Sequence, residues 1–232
     1  MVKRQRGSRS VTPSAAARRP RQRESEQRRL PLRAAVAGVV VIAVVGFIGL
    51  AFTRSLSARD YSCASLLTPP PDAPAPDGFP TGALGAQHVR PGATIRYGFC
   101  PPTSGEHYSG PGAGPLRPGV YGPTDDVEPG GWVHNLEHGF VVALYRAGDE
   151  GGPPAADLAA LQAFAEAAPS TASAAACGYR SKVIVARFDE MATPYAIVAW
   201  ERALLLDRFD PSVALEFARR WIEASAPEPG AC

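Results

Sequence analysis

The stretch "GFVVALYR", from Gly139 to Arg146, decides the predicted fold. Its β-branched and apolar residues form a continuous run, which is typical of a strand buried in a sheet. The segment "GDEGGPP" follows after Ala147 and ends the strand, because glycine and proline disfavour the interior of helices and strands. We therefore predict a strand over 139–146 and build the rest of the fold around it.

The segments after this strand predict two helices and two more strands. Apolar residues recur at helical spacing in the predicted helices and form short continuous runs in the predicted strands. The helices cover 155–169 and 210–227, and the strands cover 182–188 and 195–202. Before the first strand, residues 82–131 are dense in glycine and proline, which favours short strands and loops. The predicted fold class is α+β, a small β-sheet with at least two packed helices.

The N-terminal part of the chain predicts a membrane anchor. Residues 1–33 carry eleven Lys and Arg against two Glu, and the nineteen residues 34–52 carry no charge. A helix needs about 20 apolar residues to span the hydrocarbon core of a bilayer. We therefore predict one N-terminal transmembrane helix over 34–53 in the cell membrane. A cleaved signal peptide is the alternative, but the basic region is long for one.

The basic residues before this helix indicate its orientation. By the positive-inside rule the tail 1–33 lies in the cytoplasm and the rest of the chain lies outside it. The tail has no aromatic residue and no hydrophobic period. We therefore expect it to be disordered near anionic lipid head groups and to bind no nucleic acid.

The extracytoplasmic part is predicted to begin with a linker. Residues 54–81 are rich in Pro, Ala and Asp, which predicts an extended spacer, and the α+β domain is expected over 82–232. Four cysteines without a C-x-x-C motif suit two disulfides in an oxidising compartment, with three possible connectivities. All of them follow the predicted membrane helix, as Cys63, Cys100, Cys177 and Cys232.

The stretch "HNLEH", from His134 to His138, holds two of the four histidines, with Glu137 between them. Residues four apart lie on one face of a helix, and an even spacing also puts them on one face of a strand. Only a helix brings Glu137 to the same face. Imidazole pairs suit zinc, copper or nickel, and tight binding needs a third ligand. His107, in "PPTSGEHYSGPG", is the most economical third ligand.

The same five letters match the inverted zincin pattern H-x-x-E-H, in which two histidines hold zinc and the glutamate activates a water. That chemistry needs a full helix. Gly130 and Gly131 before the motif and Gly139 after it leave room for little more than one turn. Hydrolysis with Glu137 as the catalytic residue is therefore an alternative. In a third interpretation the histidines are structural, and His88 in "GAQHVRPG" is expected to be such a loop or strand-edge residue.

Five segments of the chain form a recognisable set: "PPTSGEHY", "GVYG", "VHNLEHGFVVALYR", "AIVAWERALLLDRFD" and "APEPG". In order and spacing they resemble the bacterial family called domain of unknown function 3105. The resemblance covers 82–230 and implies an outer domain that follows a single N-terminal membrane anchor, with no assigned activity. It also implies that His107 and residues 136–139 occupy positions that define the family. Glu106 departs from the proline that is usual before the first histidine.

Three functions therefore follow as expectations for a single-pass protein with its disulfide-bonded domain outside the cytoplasm. The first is metal binding, with zinc or copper as the best candidates. The expected ligands are His134, His138 and His107. The second is a metal-dependent hydrolase that uses Glu137. The third is a non-catalytic protein-interaction domain, which predicts an exposed aromatic patch around Trp132 or Tyr108.

Overall fold

A computed structural model of the chain describes residues 60–73, 75–125, 127–147 and 152–232. These residues form an α+β domain with four helices and mixed β-sheets. The predicted basic tail and the predicted transmembrane helix over 34–53 lie outside the described residues. Within the described part of the chain, no helix combines the length and the apolar character that crossing a membrane requires.

The described residues contain one six-stranded sheet and two small two-stranded sheets. The strands are β1 (Tyr61–Cys63), β2 (Phe79–Pro80), β3 (His88–Val89), β4 (Ile95–Tyr97), β5 (His107–Tyr108), β6 (Gly119–Val120), β7 (Val141–Tyr145), β8 (Val183–Arg187), β9 (Tyr195–Ala199) and β10 (Arg202–Leu206). The large sheet has the order β2-β10-β9-β7-β8-β6, and β7 pairs in parallel with β8 and antiparallel with β9. The small sheets pair β1 with β4 and β3 with β5, both in parallel.

Strand β7 forms within the segment "GFVVALYR", and all five of its residues are buried. Side chains alternate between the two faces of a strand. Val142 and Leu144 therefore join one hydrophobic core, and Val141, Ala143 and Tyr145 join a second core on the other face. A strand with a core on each side has no solvent-facing side, which explains why its sequence is continuously apolar.

The helices are α1 (Pro129–Glu137), α2 (Ala155–Ala167), α3 (Ala172–Ala176) and α4 (Pro211–Trp221). Helix α1 contributes Trp132 and Leu136 to the first core. Helices α2 and α4 contribute Leu161, Phe164 and Phe217 to the second core. The two predicted helices therefore cover one face of the sheet, and α1 lies against the other. Helices α2 and α4 end before their predicted ends, at Ala167 and Trp221.

Residues 134–137 of the motif "HNLEH" belong to a longer helix than its neighbouring glycines predicted, so the expectation of little more than one turn was wrong. Helix α1 has nine residues and contains both Gly130 and Gly131. A Cβ atom at Gly130 would lie 2.5 Å from the ring of Tyr108, and one at Gly131 would lie 2.7 Å from the carbonyl oxygen of Ala113. These glycines serve close packing of the helix against its neighbours rather than helix termination.

The domain begins earlier than the predicted boundary at Gly82. Residues from Asp60 onward belong to the same compact unit. Strand β1 pairs with β4, β2 pairs with β10, and Cys63 forms a disulfide with Cys100. The Pro-rich composition of 54–81 does indicate extended backbone, but from Asp60 these pairings and the disulfide hold that backbone against the domain.

The second disulfide joins Cys177 to Cys232. Of the three possible connectivities, the structure therefore contains the pairs 63–100 and 177–232, and no free cysteine remains among the described residues. Cys177 is the C-cap residue of α3. The second bond consequently fastens the C-terminal end of the chain to the end of that helix.

Candidate metal centre

Three separate segments bring the histidines together. Strands β3 and β5 pair with His88 directly opposite His107. Helix α1 packs on β5 and supplies His134 and Glu137, which are three residues apart and share a helix face. The ring centroids of His88, His107 and His134 are between 4.7 and 4.9 Å apart. The chain therefore gathers three imidazoles and a carboxylate at the junction of a small sheet and a helix.

Backbone carbonyl groups orient two of the three rings. Nδ1 of His107 lies 2.8 Å from the carbonyl oxygen of Gly105, and Nδ1 of His134 lies 2.6 Å from that of Tyr108. A carbonyl oxygen only accepts hydrogen bonds, so each Nδ1 donates and the opposite ring nitrogen, Nε2, is directed away from that carbonyl group. Histidines that bind metals usually donate their second ring N–H in this way, which fixes both the tautomer and the ring orientation.

The loop before His107 has a backbone that only glycine adopts readily. Gly105 has a φ of +118°, and a Cβ atom there would lie 3.1 Å from Cβ of Leu84. Ser104 is fully buried, and its hydroxyl oxygen accepts a hydrogen bond from the backbone N–H of Leu84. The segment "TSG" therefore packs inside the domain and fixes the carbonyl group that holds His107.

Glu137 completes the group. Its Oε2 atom lies 3.0 Å from Nε2 of His107 and 3.1 Å from Nε2 of His88. One donor atom from each of the four residues lies within 4.8 Å of the donor atoms of the others. Donor atoms around a tetrahedral zinc ion are about 3.3 Å apart, because the bonds are about 2.0–2.1 Å long. The group of His88, His107, His134 and Glu137, hereafter the primary cluster, could therefore hold a metal ion.

His138 lies beside the primary cluster rather than within it. It is the C-cap residue of α1, and its ring centroid is 4.6 Å from that of His134. Its donor atom groups instead with carboxylate oxygens of Glu137 and Glu228, again within 4.8 Å. Of the three ligands expected from the sequence, His107 and His134 thus share one group with Glu137, whereas His138 belongs to an adjoining group. Glu137 belongs to both.

His88 and Glu228 are the members of these groups that the sequence did not single out. His88 was expected to be a structural loop or strand-edge residue. It stands in β3, and only the register of β3 against β5 puts it opposite His107. Register depends on the pairing of distant segments and leaves no local sequence pattern in so short a strand. For Glu228 the available signal was its position in "APEPG", one of the segments that carry the family resemblance.

The primary cluster opens to solvent on one side. His107 is fully buried, and His134 and Glu137 are nearly so, whereas the side chain of His88 is 47% exposed. An ion or a small ligand would therefore approach past His88. Trp132 and Tyr108 are both buried, so the aromatic patch that an interaction domain predicts there is not exposed.

Burial keeps two of the histidines neutral at physiological pH. Desolvation lowers the pKa of His134 to about 4, although its hydrogen bond to the Tyr108 carbonyl opposes the shift. Burial also lowers the pKa of His138, against the opposing effect of the carboxylates of Glu228 and Glu137. Neutral imidazole is the form that binds metals, so these rings need not lose a proton before coordination.

We expect the metal-free protein to lose stability as the pH falls from about 6.5 to about 4. In this window the unfolded chain binds a proton at His134 while the folded chain does not. Wherever the unfolded state binds more protons, the free energy of unfolding decreases as the pH decreases. Melting temperatures measured with a chelator across this range test the expectation. The variant His134→Gln should show a smaller decline, and identical slopes for parent and variant would contradict it.

Comparison with known proteins gives one match. The model of a family described as "Protein of unknown function (DUF3105)" matches residues 88–232, which is more than half of the chain and includes every member of both groups. No curated protein and no solved structure matches the chain. The family description assigns no activity, so the function has to be argued from the geometry of the site.

Proposed function

We propose that this chain, which belongs to the DUF3105 family, is a metal-binding protein whose ion is held by the primary cluster. The observation that carries the proposal is the convergence of four donor atoms, from two strands and a helix, within 4.8 Å. The carbonyl groups that hold Nδ1 of His107 and His134 support it, because they fix both rings with Nδ1 engaged and leave Nε2 as the nitrogen that a metal ion would bind.

The donor atoms indicate which metals fit. Three imidazole nitrogens and one carboxylate oxygen form a set of intermediate softness that suits zinc and copper(II). The cysteines offer no thiolate ligand, since all four are in disulfides. We therefore propose zinc or copper as the bound metal.

We further propose that the domain works outside the cytoplasm, held at the cell membrane by a helix over 34–53. The two disulfides support this location, because disulfides form and persist in oxidising compartments. The apolar character of residues 34–52 and the basic residues before them support the anchor and its orientation.

A metal-dependent hydrolase is the second candidate function. The solvent-exposed side chain of His88 favours it, because a substrate could approach the ion from that side. In the inverted zincin pattern, however, both histidines bind the ion and the glutamate is free to activate water. Here the carboxylate of Glu137 contacts the imidazoles of His88 and His107, and His138 groups with Glu228. This arrangement favours Glu137 as a ligand over Glu137 as a general base.

The metal content of the full-length chain, purified with its disulfides intact, tests the proposal. We expect mass spectrometry to detect stoichiometric zinc or copper in the parent and one ion per chain less in the double variant His107→Gln/His134→Gln. Glutamine retains much of the size and the hydrogen-bonding capacity of histidine. A parent that holds no metal, even after incubation with zinc and copper, would overturn the proposal.

The variant His88→Ala separates a role in metal binding from a role in folding. Because the His88 side chain is 47% exposed, its removal should leave the fold intact. The affinity for zinc should fall by at least the ~10–100-fold that loss of an outer-shell partner alone produces. Gln87→Ala changes the exposed neighbouring residue and is the matched control. Competition with a chelator measures both affinities, and equal values would remove His88 from the ligand set.

A further inference from the structure

We propose that the site is binuclear, with a second divalent transition-metal ion held by Glu137, His138 and Glu228. The carboxylate of Glu137 would then bridge the two ions. This inference rests on the proposed function, since the first ion occupies the primary cluster. Its basis is a second set of three donor atoms within 4.8 Å of one another, which shares Glu137 with the first set.

One ring nitrogen of His138 is buried without a hydrogen-bond partner of ordinary geometry in the described part of the chain. Its Nδ1 atom is buried and makes no hydrogen bond of ordinary geometry to a described residue, and the residue as a whole is 8% exposed. A buried polar atom in a native protein is almost always satisfied, and a bound ion is one of the recognised explanations for an exception. Coordination of Nδ1 by a metal ion would satisfy this nitrogen.

Glu228 is held at the site by the C-terminal tail, residues 228–232. Its backbone N–H donates to the carbonyl oxygen of Glu137 at 3.0 Å. Farther along the tail, the ammonium group of Lys182 donates to the carbonyl oxygens of Pro229 and Ala231, and Cys232 ends the tail in a disulfide. The carboxylate of Glu228 is therefore kept near His138, at 3.7 Å from Nε2, while its side chain is 54% exposed. An ion could reach this group from solvent.

The spacing of the two groups suits a bridged pair of ions. The rings of His134 and His138, one from each group, have centroids 4.6 Å apart. Ions that share a ligand in binuclear sites are about 3.5–4 Å apart. Both groups also lie at the C-terminal end of α1, where the partial negative charge of the helix dipole stabilises cations. Glu137 is the last residue of that helix and has two carboxylate oxygens, one for each ion.

Zinc titration of the full-length chain, stripped of metal with a chelator, tests the inference by calorimetry. We expect two ions per chain in the parent and one in Glu228→Gln, with the affinity of the remaining site unchanged within about threefold. His138→Gln should also lose the second ion. Glu216→Gln, which neutralises an exposed carboxylate on α4, is the matched control and should bind two.

The possible outcomes separate this inference from the proposed function. One ion in both the parent and Glu228→Gln would overturn the second site and leave the primary cluster as the metal site. Two ions in both would also overturn it, since the second ion would then bind elsewhere. No ion in the parent would overturn the inference together with the proposed function.

Discussion

Replacement of Lys182 by methionine is expected to lower the free energy of unfolding by about 3 kcal/mol, the lower end of the range observed when one partner of a buried ion pair is removed, because the side chain of Glu223 is 24% exposed. For a domain of this size, that loss corresponds to a fall in melting temperature of roughly 6–12 °C. This is the largest effect on stability that we expect from a single polar side chain in the described part of the chain.

The expectation follows from the surroundings of the ammonium group. The Lys182 side chain is fully buried, and Nζ lies 3.0 Å from a carboxylate oxygen of Glu223. Nζ also donates to three carbonyl oxygens, at 2.8, 2.7 and 3.0 Å. They belong to His138, Pro229 and Ala231. Methionine would leave these oxygens without their donor. The hydrogen bond to the His138 carbonyl is buried, and a buried acceptor without a partner costs about 1–3 kcal/mol.

Glu223 reinforces the network around Lys182. Burial alone would raise the pKa of Glu223, but hydrogen bonds from Ser173, Lys182 and Thr171 outweigh it and lower the pKa. The carboxylate is therefore charged at neutral pH. Without Lys182 that charge would lose its only ion-pair partner among the described residues.

Chemical denaturation of parent and variant, with disulfides intact, measures the difference. Arg208→Met removes an exposed cation and should change stability by less than about 0.5 kcal/mol. A Lys182→Met protein as stable as the parent would mean that the three carbonyl groups find water or other donors. The tail 228–232 would then not depend on Lys182 for its position.

The sequence predicted the part of the fold that has a local signal. Strand β7 was expected from its continuous run of apolar residues, which is typical of a strand with a core on each side. Helices α2 and α4 were expected because their apolar residues recur every three to four residues. The α+β class follows from those elements. The short strands β3 and β5 have two residues each, which is too few for a period to be visible.

The sequence predicted the candidate site only in part, because its two halves are assembled differently. His134 and Glu137 are close in the chain, so their shared face follows from helix geometry once a helix is assumed. His88 and Glu228 reach the site through strand register and through a tail fastened by Lys182 and a disulfide. Those constraints join residues far apart in sequence, and a single sequence does not reveal them.

Gly130→Ala is expected to weaken metal binding by about 10–100-fold and to destabilise the domain by about 1–3 kcal/mol, although residue 130 contacts no metal ligand through its own side chain. In an isolated helix the same change would be stabilising by about 1 kcal/mol, because alanine is the better helix former. The expected sign is therefore opposite to that of intrinsic helix propensity, and packing against Tyr108 is the reason.

No small movement relieves the clash between a Cβ atom at residue 130 and the ring of Tyr108. A Cβ atom at residue 130 would lie 2.5 and 2.6 Å from two ring carbons of Tyr108 and 3.0 Å from Cδ1 of Ile95. The ring cannot easily swing aside, because Tyr108 is buried and its hydroxyl donates to the carbonyl oxygen of Ala93. Helix α1 must instead move away from β5. That movement separates Nδ1 of His134 from the Tyr108 carbonyl and also shifts Glu137, which lies on the same helix.

Zinc affinity and melting temperature of Gly130→Ala are measured beside those of Gly122→Ala. A Cβ atom at Gly122 would meet only Oδ2 of Asp125, at 3.6 Å, so this control should match the parent in both quantities. If Gly130→Ala lost stability but bound zinc as the parent does, the contact between α1 and β5 would support the fold without orienting the ligands. A parallel loss of zinc affinity and melting temperature would mean that the position of helix α1 on Tyr108 sets the geometry of the primary cluster. Gly130 would then be a positioning residue of the site.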